Sequence, residues 1–192
     1  MGIFTKLSVK KSDIGLILLI PAFYIISALI HNYYLVQENM APDLYRVSLG
    51  PFLEEAIKGV SVFLCVFAAV GLGHEKLVRV HKKYWLIVAI SIGLIVGVGE
   101  TFIDYSLGIH RLIPTLNHAF GAAIVAGGIW FFIHTNKHKF EGLVVSYVGA
   151  SILHALWNYH VFIEETTGSE FTLGAISFIL TVIASFLIWK FG

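Results

Sequence analysis

The 192-residue chain is poor in charge and in cysteine, and it contains no long polar stretch. Charged residues make up 13% against 57% hydrophobic, and the mean hydropathy is +0.83, which together exclude a water-soluble domain. A single cysteine, Cys65, excludes an internal disulfide and carries no information about redox compartment. Among apolar neighbours it reads as a small buried hydrophobe rather than a nucleophile. A formal net charge of +1 leaves no basic excess, so no nucleic-acid partner is expected. Internal repeats, low-complexity tracts and linkers are missing, and residues 1–192 read as one domain. There is no HExxH, so the commonest zinc-protease helix is excluded.

What the chain has in quantity is apolar runs. Six are long enough, at ~1.5 Å per residue, to cross a hydrocarbon core of about 30 Å. They lie at about residues 14–35, 51–72, 84–107, 113–133, 143–163 and 171–189. The expected fold is all-α: a polytopic bundle of about six transmembrane helices, multi-pass in the cell membrane, with the lipid bilayer as its surroundings. The first run follows Lys6, Lys10 and Lys11, as a signal peptide's does. It is longer than an h-region and lacks a small-x-small exit, which predicts a retained signal anchor.

Lysines and arginines alternate between rich and poor connections. Lys6, Lys10, Lys11, Lys76, Arg79, Lys82, Lys83, Lys137, Lys139 and Lys190 fall on one side, against Arg46 and Arg111 on the other. The positive-inside rule then puts both termini in the cytoplasm. The outer connections carry Glu38, Asp43, Glu164, Glu165 and Glu170.

In that orientation the polar residues of four runs share one depth. Glu54, Glu55 and Lys58 open the second run, Glu100 lies near the outward end of the third, His118 near the start of the fourth, and His154 and Asn158 in the outer part of the fifth. Most sit about 5–14 Å from the outer ends by helix rise. Within each run the spacing is helical: Glu54 with Lys58, Glu100 with Asp104 and His154 with Asn158 are i, i+4, so each pair shares a face. Such a face points into the bundle or a wet pocket, because a charge at a span's centre costs roughly 2.5–3.5 kcal/mol. Three glutamates set against one lysine cannot all remain ionised there, so protons are shared or a cation is bound. Both outcomes describe chemistry that activates water.

Each residue also has a structural role to set beside the functional one. Pro51 and the acids suit a helix N-terminus with its positive dipole end. His118 and the His154–Asn158 pair suit interhelical hydrogen bonds. Asp104 and Arg111 fit the interface, as do Trp85, Trp157 and Trp189. Gly93, Gly97, Gly99, Gly121, Gly127 and Gly128 fit close helix approach. His74, His81, His134, His138 and His160 lie at or beyond span ends and carry no signal. What favours a site is that so many of these residues meet at one depth.

The ordered set "EEAIK", "GVGE", "PTLNH" and "HALWN" resembles the PrsW-type intramembrane proteases, within the superfamily that includes the type II CAAX prenyl endopeptidases and the Abi/CPBP membrane proteins. Those families carry paired glutamates followed closely by a basic residue, a later histidine and a closing His-x-x-x-Asn/Asp, and the PrsW branch adds the glutamate found here as Glu100. The lysine spacing is closer to PrsW than to the prenyl-protease branch, while Thr101 stands where many PrsW relatives carry asparagine.

The resemblance implies an intramembrane endopeptidase acting on a membrane-associated protein, anti-sigma-factor-like or a precursor peptide. Its site residues are Glu54, Glu55, Glu100, His118, His154 and Asn158. Glu54 with His118 would activate water, His154 and Asn158 would hold the oxyanion, and Lys58 with Glu55 would balance charge. A divalent metal such as zinc is the open cofactor question, with His118, His154 and Glu100 as expected ligands. An outward-facing site suits a membrane-protein substrate better than a prenylated cytosolic tail. An ion or proton-coupled transporter or channel and a catalytically silent scaffold are the competing classes.

Overall fold

The computed structural model describes residues 47, 49–75, 78, 81–104, 112–135, 138–167 and 172–191. The first apolar run, Glu38, Asp43, Arg111, Glu170 and the side chains of Asp104, Glu164 and Glu165 lie outside the described residues, while the backbone of Glu164 and Glu165 continues the fifth run's helix rather than forming a connection. Five described helices are long and apolar enough to cross a membrane, and they match the second to sixth runs. They are α1 (Leu49–Ala69), α2 (Lys82–Asp104), α3 (Leu112–His134), α4 (Lys139–Thr167) and α5 (Thr172–Phe191). No strand occurs among the described residues.

Helix α1 carries Pro51 in its first turn, which its fixed φ suits. It ends in a π-helical turn, Val70–His74, closed by Gly73 at φ 90°, a left-handed conformation that a Cβ would resist. His138 (φ 51°) takes the same region just before α4, and its carbonyl accepts from the Gly142 amide at 2.9 Å. At the end of α3, the Phe131 carbonyl accepts from both the amide (3.0 Å) and the hydroxyl (2.8 Å) of Thr135.

Helix α3 is the hub: 61% of its span is buried, against 22–39% for the other four, and it packs on all of them. The cause is the alanines and glycines between Ala119 and Gly128, which let backbones approach. A Cβ on Gly93 of α2 would strike the Ala119 Cα and the His118 carbonyl oxygen, and one on Gly97 would sit 2.7 Å from the Thr115 Cα. These falling pairs are the register of antiparallel neighbours. On the other side, Gly128 faces Ser146 of α4 at 2.6 Å by the same measure. Gly99 departs from the expectation of close approach, since a Cβ there would meet nothing within 4 Å.

The outward faces are apolar, with Val60, Ile95, Val145 and Phe186 all exposed, as a lipid-facing surface requires. Polar atoms are instead bonded inward: the Ser177 hydroxyl donates to the Leu153 carbonyl at 2.7 Å, joining α5 to α4. The tryptophans differ from the interfacial expectation. Trp85 is fully buried, donates from Nε1 to the Val78 carbonyl at 3.0 Å and packs edge-on to Trp130. Trp189 donates to the Ala123 carbonyl at 2.8 Å, and Trp157 is buried. The indole N–H groups of Trp85 and Trp189 thus bond backbone carbonyls inside the bundle rather than the interface. His160 is likewise buried, against Gly174 of α5.

Candidate active site

The helix starts and ends put six polar side chains at one end of the bundle. Glu54, Glu55 and Lys58 come from the second and third turns of α1, Glu100 from the last turns of α2, His118 from the second turn of α3 and His154 from α4. Because α1 begins by Leu49, Glu54 and Glu55 lie beyond its first turn, where the dipole's effect has faded. Helix capping therefore does not account for them. Glu55 and Lys58 are sealed in the core at 1% and 0% exposure, which demands internal partners.

Those partners form a chain. Lys58 Nζ donates to Glu55 Oε1 at 2.6 Å and to His118 Nδ1 at 2.9 Å. His118 Nε2 lies 2.8 Å from Glu100 Oε2, and His154 Nδ1 lies 3.0 Å from Glu55 Oε1. An ammonium has only protons to give, so His118 Nδ1 accepts, and its Nε2–H donates to Glu100. His154 donates its Nδ1–H to Glu55 in the same way. Its Nε2 is then left with a lone pair.

That lone pair faces Glu54. Glu54 Oε2 is 3.6 Å from His154 Nε2 and 4.0 Å from His118 Nδ1, and it is buried with no hydrogen-bond partner. Two acceptors opposed across 3.6 Å repel unless a proton, a water or a cation sits between them. The two imidazoles stand perpendicular, with centroids 4.9 Å apart. Glu54, His118 and His154 form the group whose ligand atoms lie within 4.8 Å of one another. This donor set suits a divalent cation such as zinc: one carboxylate oxygen, two imidazoles and a carboxylate hydrogen-bonded to the far nitrogen of each ring. Glu100 is behind His118 rather than in the group, so Glu54 stands where Glu100 was expected as a ligand.

Two features had no place in the site expected from the sequence. Gly121 leaves space for Glu55: a Cβ there would sit 3.1 and 3.2 Å from its carboxylate oxygens. The Tyr147 hydroxyl donates to the Phe52 carbonyl at 2.9 Å, tying α4 to α1 just before Glu54. The available signals were helical spacing: Gly121 is three residues after His118, and Tyr147 is two turns before His154 on the same face. Asn158 lies one turn beyond His154 on α4 and is half-buried.

Residues 99–188 match the model of a family described as PrsW family intramembrane metalloprotease. The match spans a little under half of the 192 residues; it includes Glu100, His118, His154 and Asn158 and stops short of Glu54, Glu55 and Lys58. Neither the curated proteins nor the solved structures contain a match to the chain. Together with five apolar helices, the family match supports a multi-pass membrane protease of the PrsW type.

Proposed function

We propose that the protein is an intramembrane endopeptidase that cleaves a membrane-associated protein at the end of the bundle where α1 and α3 begin. The observation that carries this is the unpartnered Glu54 Oε2, opposed by ring nitrogens of two histidines at 3.6 and 4.0 Å. A water at that convergence gives its proton to Glu54. Peptide hydrolysis needs such a base, a holder for the oxyanion and a proton for the leaving amine. Glu100 and Glu55 fix the orientation of His118 and His154 through their far nitrogens. Lys58 offsets the Glu55 charge. Asn158, one turn along α4 from His154, reaches towards the oxyanion, and the proton held on the Glu54 side passes to the amine.

Glu54, His118 and His154 would also hold the divalent metal that the family description implies. When bound, such an ion makes a coordinated water more acidic and polarises the scissile carbonyl. The charge count along the sequence supports reading this end as the one at the outer face of the cell membrane. The substrates that fit are membrane proteins cut in or beside their extracytoplasmic part, such as an anti-sigma-factor-like protein or a precursor peptide.

The test is cleavage of membrane-protein substrates by purified protein in detergent, comparing wild type with Glu54→Gln and His154→Ala. Loss of cleavage in both variants, with folding retained, is expected. Ion flux without cleavage would instead establish a transporter. Cleavage that survives in metal-free protein under chelation leaves Glu54 as base without a metal, whereas cleavage lost to the chelator and restored by zinc makes the trio a ligand set.

A further inference from the structure

Of the three donor atoms that converge beside Glu54, one is already taken. Glu54 Oε2 has no hydrogen-bond partner and faces His154 Nε2 at 3.6 Å, whereas His118 Nδ1 accepts the Lys58 ammonium at 2.9 Å. Nδ1 is also the only lone pair His118 can offer, because its Nε2–H is committed to Glu100 at 2.8 Å. A metal ion and the lysine therefore need the same pair of electrons.

We propose that Lys58 is a stand-in cation: it competes with the metal for His118 Nδ1, holds the site assembled when no metal is bound, and weakens metal binding when one is offered. This rests on Glu54, His118 and His154 being a ligand set. The burial pattern supports the lysine's side of the competition. Lys58 is wholly buried, and its second partner, Glu55 Oε1 at 2.6 Å, also accepts from His154 Nδ1 at 3.0 Å. One ammonium thus braces both imidazoles, His118 directly and His154 through Glu55. On metal binding it gives up His118 and keeps Glu55, so no buried charge is stranded. The basic residue that follows the paired glutamates then sets how readily the site loads and releases its ion, beyond balancing their charge.

The experiment is zinc binding alone, measured on purified full-length protein in detergent by calorimetry and by competition with a chromophoric chelator. Lys58→Met is expected to bind zinc about tenfold tighter or more, the scale on which groups bonded to metal ligands tune affinity. Its metal-free form is expected to unfold at a lower temperature than wild type, with zinc recovering the difference. Removing the ammonium also leaves Glu55 uncompensated, so the double variant Glu55→Gln, Lys58→Met is compared with Glu55→Gln alone, which loses the same carboxylate behind His154. Tighter binding by the double variant than by Glu55→Gln supports competition for the lone pair. Equal affinity in that pair, or equal affinity in wild type and Lys58→Met, overturns the proposal and leaves the ligand set standing. No zinc binding by wild type or any variant overturns the ligand set and the proposal together. Should the variants not fold, wild type labelled with ¹⁵N at lysine Nζ gives the answer: zinc binding must shift the Lys58 resonance, and binding without that shift overturns the proposal.

Discussion

Gly93→Ala is a small change that should be felt at the site. A Cβ at this position of α2 would meet the Ala119 Cα and the His118 carbonyl oxygen at less than contact distance and the Ala119 nitrogen at 2.7 Å. All three are backbone atoms of α3, so no rotamer change relieves the clash and the helices must separate. Overpacking of this kind costs about 1–3 kcal/mol, while replacing a helical glycine by alanine returns about 0.5–1 kcal/mol, leaving a net loss of up to about 2.5 kcal/mol. The separation also acts where it does most harm. His118 is the neighbour of Ala119, and its 2.8 Å bond to Glu100 spans the same helix pair. Thermal unfolding in detergent and cleavage rate should therefore fall together. The control is Gly99→Ala on the same helix, where a Cβ meets nothing within 4 Å and the propensity gain stands alone. If Gly93→Ala proves as stable and as active as wild type, the close α2–α3 contact does not hold the site together.

Three further outcomes follow from the packing. Tyr147→Phe keeps the edge-on ring contact with Phe52 and loses the hydroxyl bond to its carbonyl, so a stability loss of about 0.5–1.5 kcal/mol is expected, with cleavage lowered through kcat more than KM. Ser177→Ala removes the 2.7 Å bond to the Leu153 carbonyl and should lower the unfolding temperature by the equivalent of about 0.6 kcal/mol, without changing the substrate cleaved. Gly121→Val crowds the Glu55 carboxylate and should abolish cleavage while the purified protein remains helical by circular dichroism; full activity would show that Glu55 does not need that space.

The sequence by itself determined the membrane-spanning class and most helix positions, because hydrocarbon forces each crossing to be a long apolar helix with its backbone bonds made internally. It also marked the polar residues that meet. Glu54, Glu55, Lys58, Glu100, His118 and His154 were legible because a charged or hydrogen-bonding group inside a span needs a partner, and they share one depth. Helical rise gives depth and facing along a single helix, but it does not say which atom of one helix touches which atom of the next. Tertiary structure decided that. It paired His118 with Lys58 and Glu100, set Glu54 rather than Glu100 in the group with the two histidines, and turned Trp85 and Trp189 inward. These choices depend on how closely α3's small residues let its neighbours approach and on the rotation each helix adopts about its axis. Both are properties of the packed bundle, set by contacts between segments far apart in the chain.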